Sequence, residues 1–129
     1  MIKLLALLTE TVTRAQLQSL ETYADKLFAA VGLDIEFSKH FFDRVNDPRN
    51  NRPISDAELT DLFQKTYEKH GKQIASLGAD AEAVIVDMQK DINIPFVLQY
   101  NSKTQQLELV SKTIMRKKNF QTTNKKLTV

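Results

Sequence analysis

The chain contains no cysteine, and only two of its 129 residues are histidine. Disulfides, thiolate zinc sites and a cysteine nucleophile are therefore excluded, and the composition suits an intracellular compartment. His40 and His70 are too few for a multi-histidine metal centre. Long apolar runs are also missing. The opening MIKLLALLTE is too short to span a bilayer, and Glu10 and Arg14 follow it without a small-residue cleavage site. It reads as the packed start of the domain, with no membrane segment and no secretion signal expected.

Acidic residues become scarce towards one end. Asp and Glu are spread over the first ninety residues, and only Asp91 and Glu108 follow. The net charge of +2 is too small for a wholesale polyanion binder, so its distribution matters more. Residues 107–124, LELVSKTIMRKKNFQTTN, open as a strand and end as a basic, hydroxyl-rich turn. Lys112, Arg116, Lys117, Lys118, Lys125 and Lys126 lie here and just beyond, interleaved with Thr113, Asn119, Thr122 and Thr123. Cations that give charge-assisted hydrogen bonds, with neutral donors between them, are what a phosphate-binding surface requires. The alternative is a solvated basic tail.

At 129 residues the chain is expected to form one domain over 1–129, with 42% hydrophobic and 26% charged residues as in ordinary globular proteins. Its first half reads as helical. Leu17, Leu20, Ala24, Leu27, Phe28 and Val31 follow helical spacing from Thr13, and Gly32 ends the run. Thr11 or Thr13 is suited to cap it. Leu33–Phe37 reads as a link, and Ser38 as the N-cap of a brief helix Lys39–Val45. His40 and Arg44 would share one face of it. NDPRNNRP, residues 46–53, is a turn-rich loop. Ser55 and Glu58 form a capping box, opening a helix from Asp56 to about His70 that Gly71 would close.

The period then changes. Ala83–Met88 and Ile92–Tyr100 read as strands, with Pro95 marking an edge or irregular start. Asn101–Gln105 reads as a hairpin loop and Gln106–Arg116 as one long partner strand. Leu107, Leu109, Ser111, Thr113 and Met115 would line one face of that strand. Glu108, Val110, Lys112, Ile114 and Arg116 would line the other. A last short strand is expected near Leu127. The expectation is an α+β fold, with N-terminal helices followed by a three- to four-stranded antiparallel sheet.

His40 is the chemical candidate, because imidazole is the side-chain type in this group suited to proton transfer near neutral pH. Arg44 lies one turn on. Lys112 and Arg116, on one strand face, would reach one phosphodiester, with Thr113, Asn119 and Thr122 orienting it. RNA cleavage by an attacking 2′-hydroxyl needs a proton acceptor, a proton donor and cations around phosphorus, without a metal. The plainer readings are a structural histidine beside Phe41 and Phe42, and an Arg44 paired with Asp43, Asp47 or Glu36. His70 suits a helix C-terminus, and Asp87 and Asp91 read as strand-end and turn residues.

The tracts FSKHFFDRVNDPRNNRPIS (37–55), NIPFVLQY (93–100) and LVSKTIMRKKNFQTTN (109–124) resemble a group of small proteins of tailed bacteriophages, mainly marine and cyanobacterial ones. The likeness covers about residues 35–125. The layout is also similar to the barnase–EndoU–colicin–RelE class of metal-independent ribonucleases. That resemblance implies His40 as helix-borne acid or base, and Lys112 and Thr113 as strand-borne catalytic and phosphate ligands. Arg44, Arg116, Asn119 and Thr122 would be supporting donors. A second histidine near the basic tract, present in the EndoU pattern, is missing. Expected partners are nucleic acid, RNA before DNA, or a phage or host protein, with no cofactor and no metal. The expected place is host cytoplasm or virion. A virion or accessory protein that docks through the basic tract is the alternative, and an inhibitor of a host protein is a third reading.

Overall fold

The computed structural model describes residues 12–50 and 52–129. The expectation for the opening MIKLLALLTE, and Thr11 as a cap, lie outside the described residues. The order is α1 (Arg14–Phe28), a 3₁₀ turn (Ala29–Val31), β1 (Leu33–Phe37), α2 (Lys39–Arg44), a 3₁₀ turn (Pro48–Asn50), α3 (Asp56–Ala75), then β2 (Glu82–Asp87), β3 (Ile92–Asn101), β4 (Gln106–Ser111), β5 (Met115–Arg116) and β6 (Lys125–Thr128). The α+β class holds.

Side-chain caps start the helices. Thr13 and Gln16 form a capping box on α1, Ser38 caps α2, and Ser55 with Glu58 caps α3. Gly32 ends the first helical region at φ 78°, where a side chain would be strained. Gly71 does not close α3. It is buried four residues before the helix ends, with the Tyr67 ring 3.1 Å from where a Cβ would stand, so it makes room rather than stopping the helix.

The sheet is larger than expected and mixed. Its path is β1–β4–β3–β2–β6, with β5 also paired to β3. β1 runs parallel to β4, and β6 parallel to β2. The centre, β2–β3–β4, is the expected antiparallel meander. Residues 33–37 are thus a strand, not a link. Leu33, Ile35 and Phe37 face the core, while Asp34 and Glu36 face away. The outer edge of β1 is closed by side chains of α1: Ile35 N donates to Asp25 Oδ1 at 2.5 Å and Phe37 N to Glu21 Oε2 at 2.7 Å. Carboxylates here stand in for a neighbouring strand.

The core lies between the helices and one sheet face. Leu17, Leu20, Ala24 and Phe28 of α1 meet Leu59, Leu62, Phe63 and Ile74 of α3 and Ile35, Ile85, Ile94, Phe96, Leu98 and Leu109 of the sheet. Phe37 stacks on Phe41 at 4.3 Å between ring centres, which seats α2 against the end of β1. His70 Nε2 lies 2.7 Å from Thr128 O, tying α3 to β6.

The long strand expected over 106–116 breaks after Ser111, and Pro95 supplies the reason. Lys112 N donates to Pro95 O at 2.9 Å, but proline has no N–H to return the bond. The Lys112 carbonyl accepts instead from Ser38 Oγ at 2.6 Å. The chain then bulges. Phe96 pairs with Ser111 and Asn93 with Met115, so β3 advances three residues (96 to 93) while the facing chain advances four (111 to 115). A slip of one residue exchanges the faces. Arg116 therefore arrives on the buried side, and the expected face shared by Lys112 and Arg116 does not form.

Candidate functional site

The bulge opens onto a groove of about 1300 Å³. His40 and Arg44 come to it from α2, and Asp47, Arg49 and Arg52 from the following loop. Gln89 and Asp91 come from the β2–β3 turn, and Lys112, Thr113, Lys117 and Lys118 from the bulge and the segment after β5. The bolt between helix and strand is Ser38. Its N–H donates to Ser111 O at 3.0 Å, its hydroxyl to Lys112 O, and the same hydroxyl caps Phe41 N. His40, two residues on, lines the same groove as Lys112.

The cations of the groove differ in freedom. Arg44 and Arg49 both reach Asp47 Oδ2, at 3.1 and 2.9 Å, so one carboxylate aligns two guanidinium groups. Lys112 pairs with Glu82 at 2.9 Å, with both side chains about half exposed, where such a pair exchanges readily with solvent. Lys117 and Lys118 are exposed.

Arg116 departs from its expected role. Its side chain is 6% exposed and spends its donors inside the protein. Nε donates to Arg52 O, Nη1 to Lys90 O, and Nη2 to Pro53 O and Glu58 Oε1. Its amide donates to Asn50 Oδ1, whose own side-chain amide returns bonds to the Arg44 and Val45 carbonyls. Arg116 therefore fastens the 46–53 loop to the sheet and builds the groove wall; it is not a phosphate ligand with free donors. Burial disfavours the charged form of Glu58, but the Ser55 amide and Arg116 outweigh it and keep the carboxyl below the ordinary glutamate range.

Asn119 and Thr122 do not line this groove. Asn119, left-handed at φ 54°, lines a smaller adjoining pocket. Thr122 lines neither, and its hydroxyl accepts from Asn124 N. Thus His40, Arg44, Lys112 and Thr113 are brought together, while Asn119 and Thr122 stand apart. Asp91 is the groove residue that sequence reasoning set aside as a turn residue. Its positive φ of 58° is a turn property, and nothing local in the sequence says which groove the turn faces. Arg49 and Arg52 carried the composition signal of a basic loop without its direction.

A second charged cluster lies elsewhere. Oxygens of Asp34, Glu36 and Glu108 fall within 4.8 Å of one another, with Glu21 and Asp25 of α1 close by. Sequence spacing offered no such group, because it needs the parallel pairing of Asp34 with Glu108. Both Glu108 oxygens accept from side-chain amides, Gln99 and Asn101. Burial, then a hydrogen bond with Asp34 and the charges of Asp34 and Glu21, push the Asp25 carboxyl up to about 7 against the opposing Ile35 amide. Glu36 is also raised, by burial and by Glu21, Asp34 and Glu108.

Comparison of the chain with protein-family models, curated proteins and solved structures gave no match. Among the described residues no helix is long and apolar enough to cross a membrane.

Proposed function

We propose that the groove binds the phosphodiester backbone of RNA and that the protein is a phage-encoded, ribonuclease-like enzyme cleaving it by attack of the 2′-hydroxyl. The observation that carries this reading is the Ser38–Lys112 bond, which holds a helix-borne histidine and a lysine of the bulge after β4 on one cation-lined groove. In this reading His40 accepts or donates the proton. Lys112 leaves Glu82 to meet the charge that develops on phosphorus, and Thr113 and Arg44 orient the phosphate. Asp91 is the second proton carrier, in place of a second histidine. The reaction asks for no metal: a base, an acid and fixed cations suffice.

The test is incubation of purified protein with a mixed RNA pool in EDTA across pH 5–8, beside His40→Ala and Asp91→Asn. The expected products end in 2′,3′-cyclic phosphate and are lost with His40→Ala. Cleavage that survives the loss of both His40 and Lys112 would end this assignment of roles.

A second reading is favoured by one feature: cations in the groove outnumber the groups able to move a proton. In that reading the protein is a virion or accessory component that holds nucleic acid or an acidic partner without cutting it. Mass spectrometry of purified virions decides it, since absence from the particle sinks the virion role.

A further inference from the structure

Next to the groove lies a pocket of about 380 Å³, and the two share Gln89, Asp91, Lys117 and Lys118 on their common wall. Its lining is mixed, with Asp87, Asn93, Asn119, Lys126 and Thr128 beside apolar groups. Phe120, half-buried, and Met88, 68% exposed, supply an aromatic face and a thioether, backed by Val86. Its wall is fixed before any ligand arrives. Asn93, 1% exposed, donates to the Met115 and Lys117 carbonyls at 3.3 and 2.9 Å, and Lys117 N donates to Asp91 O at 2.7 Å. The left-handed turn at Asn119 then lays Phe120 along the pocket.

A flat apolar face one step from a row of cations matches the two halves of a nucleotide. We infer that this pocket seats one unpaired base of a single-stranded nucleic acid whose flanking phosphates lie along Lys117 and Lys118. The inference rests on the groove as a phosphate site and narrows its ligand: a base stacked inside a duplex cannot enter, whereas an unstacked base can lie on Phe120 and Met88. Aromatic stacking accepts any base, so the pocket selects strandedness rather than sequence. The polarizable Met88 sulfur and its flexible stem adapt to purine or pyrimidine.

The experiment uses three probes on the full chain: a short single-stranded RNA carrying one 2-aminopurine, the same sequence as a blunt duplex, and tripolyphosphate, which reads the cations alone. The wild-type protein is expected to prefer the single strand and to change the 2-aminopurine fluorescence. Phe120→Ala should weaken the single strand by about fivefold to a hundredfold, the loss of one stacked base, and Phe120→Tyr should restore it. Met88→Ser, at an exposed position that leaves the core intact, should weaken it by a smaller factor. Tripolyphosphate binding should not change in any variant. Equal losses for RNA and tripolyphosphate, wild-type RNA binding by both Phe120→Ala and Met88→Ser, or a preference for duplex would overturn the base pocket while leaving the groove standing. If the wild-type protein binds none of the three probes, the groove reading falls and the base pocket with it.

Discussion

Two charged regions of this molecule handle like charge in opposite ways. In the groove, Arg44 and Arg49 share Asp47, Lys112 has Glu82, and Lys117 and Lys118 are open to solvent. At the corner where α1 meets β1 and β4, Glu21, Asp25, Asp34, Glu36 and Glu108 gather, and no cation among the described residues forms an ion pair with any of them. Three of these carboxylates are turned inward to structural work. Asp25 and Glu21 accept the edge amides of β1, and Glu108 accepts two side-chain amides. The corner answers its repulsion with a raised proton affinity at Asp25 and Glu36; the groove answers its own with counter-charges beside its cations. A proton-holding corner is a structural joint, whereas loosely neutralised cations are available to a ligand.

Arg116 marks the border, and its loss should have the largest effect. Arg116→Ala leaves three carbonyls and Glu58 without their donor, and breaking a buried pair of this kind costs about 3–5 kcal/mol. Urea unfolding would show it, and a midpoint equal to wild type would place Arg116 among the free groove cations after all. The corner predicts a pH signature. Because folding raises Asp25 from 3.8 to about 7, the folded protein holds a proton that the unfolded chain has released between those values. The Asp25 contribution to stability is therefore fully present below about 4 and is lost as pH rises through 7. Asp25→Asn keeps the acceptor for Ile35 N, so it should stabilise the protein at pH 8 and change little at pH 4. The Glu58 contribution has the opposite sign: it is present above 4.5 and fades as pH falls.

Groove cations should separate from surface cations by salt. Arg44→Ala and Lys117→Ala should each weaken RNA binding and reduce the slope of log K against log salt by about 1. Lys69→Ala, exposed on α3 and outside the groove lining, should do neither; equal slopes for all three would dissolve the distinction. The smallest effect belongs to Glu82→Gln, which frees Lys112. Tripolyphosphate affinity should rise by less than about tenfold with the unfolding midpoint unchanged, as for an exposed pair. A fall in affinity would mean that Glu82 positions Lys112 rather than occupying it.

Local chemistry was legible where it was self-contained. Ser55 and Glu58 gave the start of α3, Ser38 that of α2, and the hairpin at 101–105 followed from its composition. What the sequence hid was every feature needing a distant partner. LDIEF alternates as a strand does, yet only a pairing with residues 107–111 makes it one. Pro95 is plain in the sequence, but its effect falls on Lys112 and then, through a one-residue slip, on Arg116. The site was half legible for the same reason. His40, Arg44, Lys112 and Thr113 line one groove, Asp91 reads in the sequence only as a turn residue, and the face of Arg116 depends on a bulge that periodicity cannot foresee.

The parallel outer strands also set an order of assembly. Ser38 and the Lys112 carbonyl that it holds are 74 residues apart, so β1 has no sheet neighbour until most of the chain has been made. A strand that waits so long is exposed to wrong pairing, and non-local pairings of this sort form slowly. Asp25 and Glu21, close in sequence to β1, take its Ile35 and Phe37 amides on the edge away from β4, while Asp34 and Glu36 charge its outer face. The carboxylates on α1 thus cover one edge of β1 with partners near in sequence, and the other edge is left for β4.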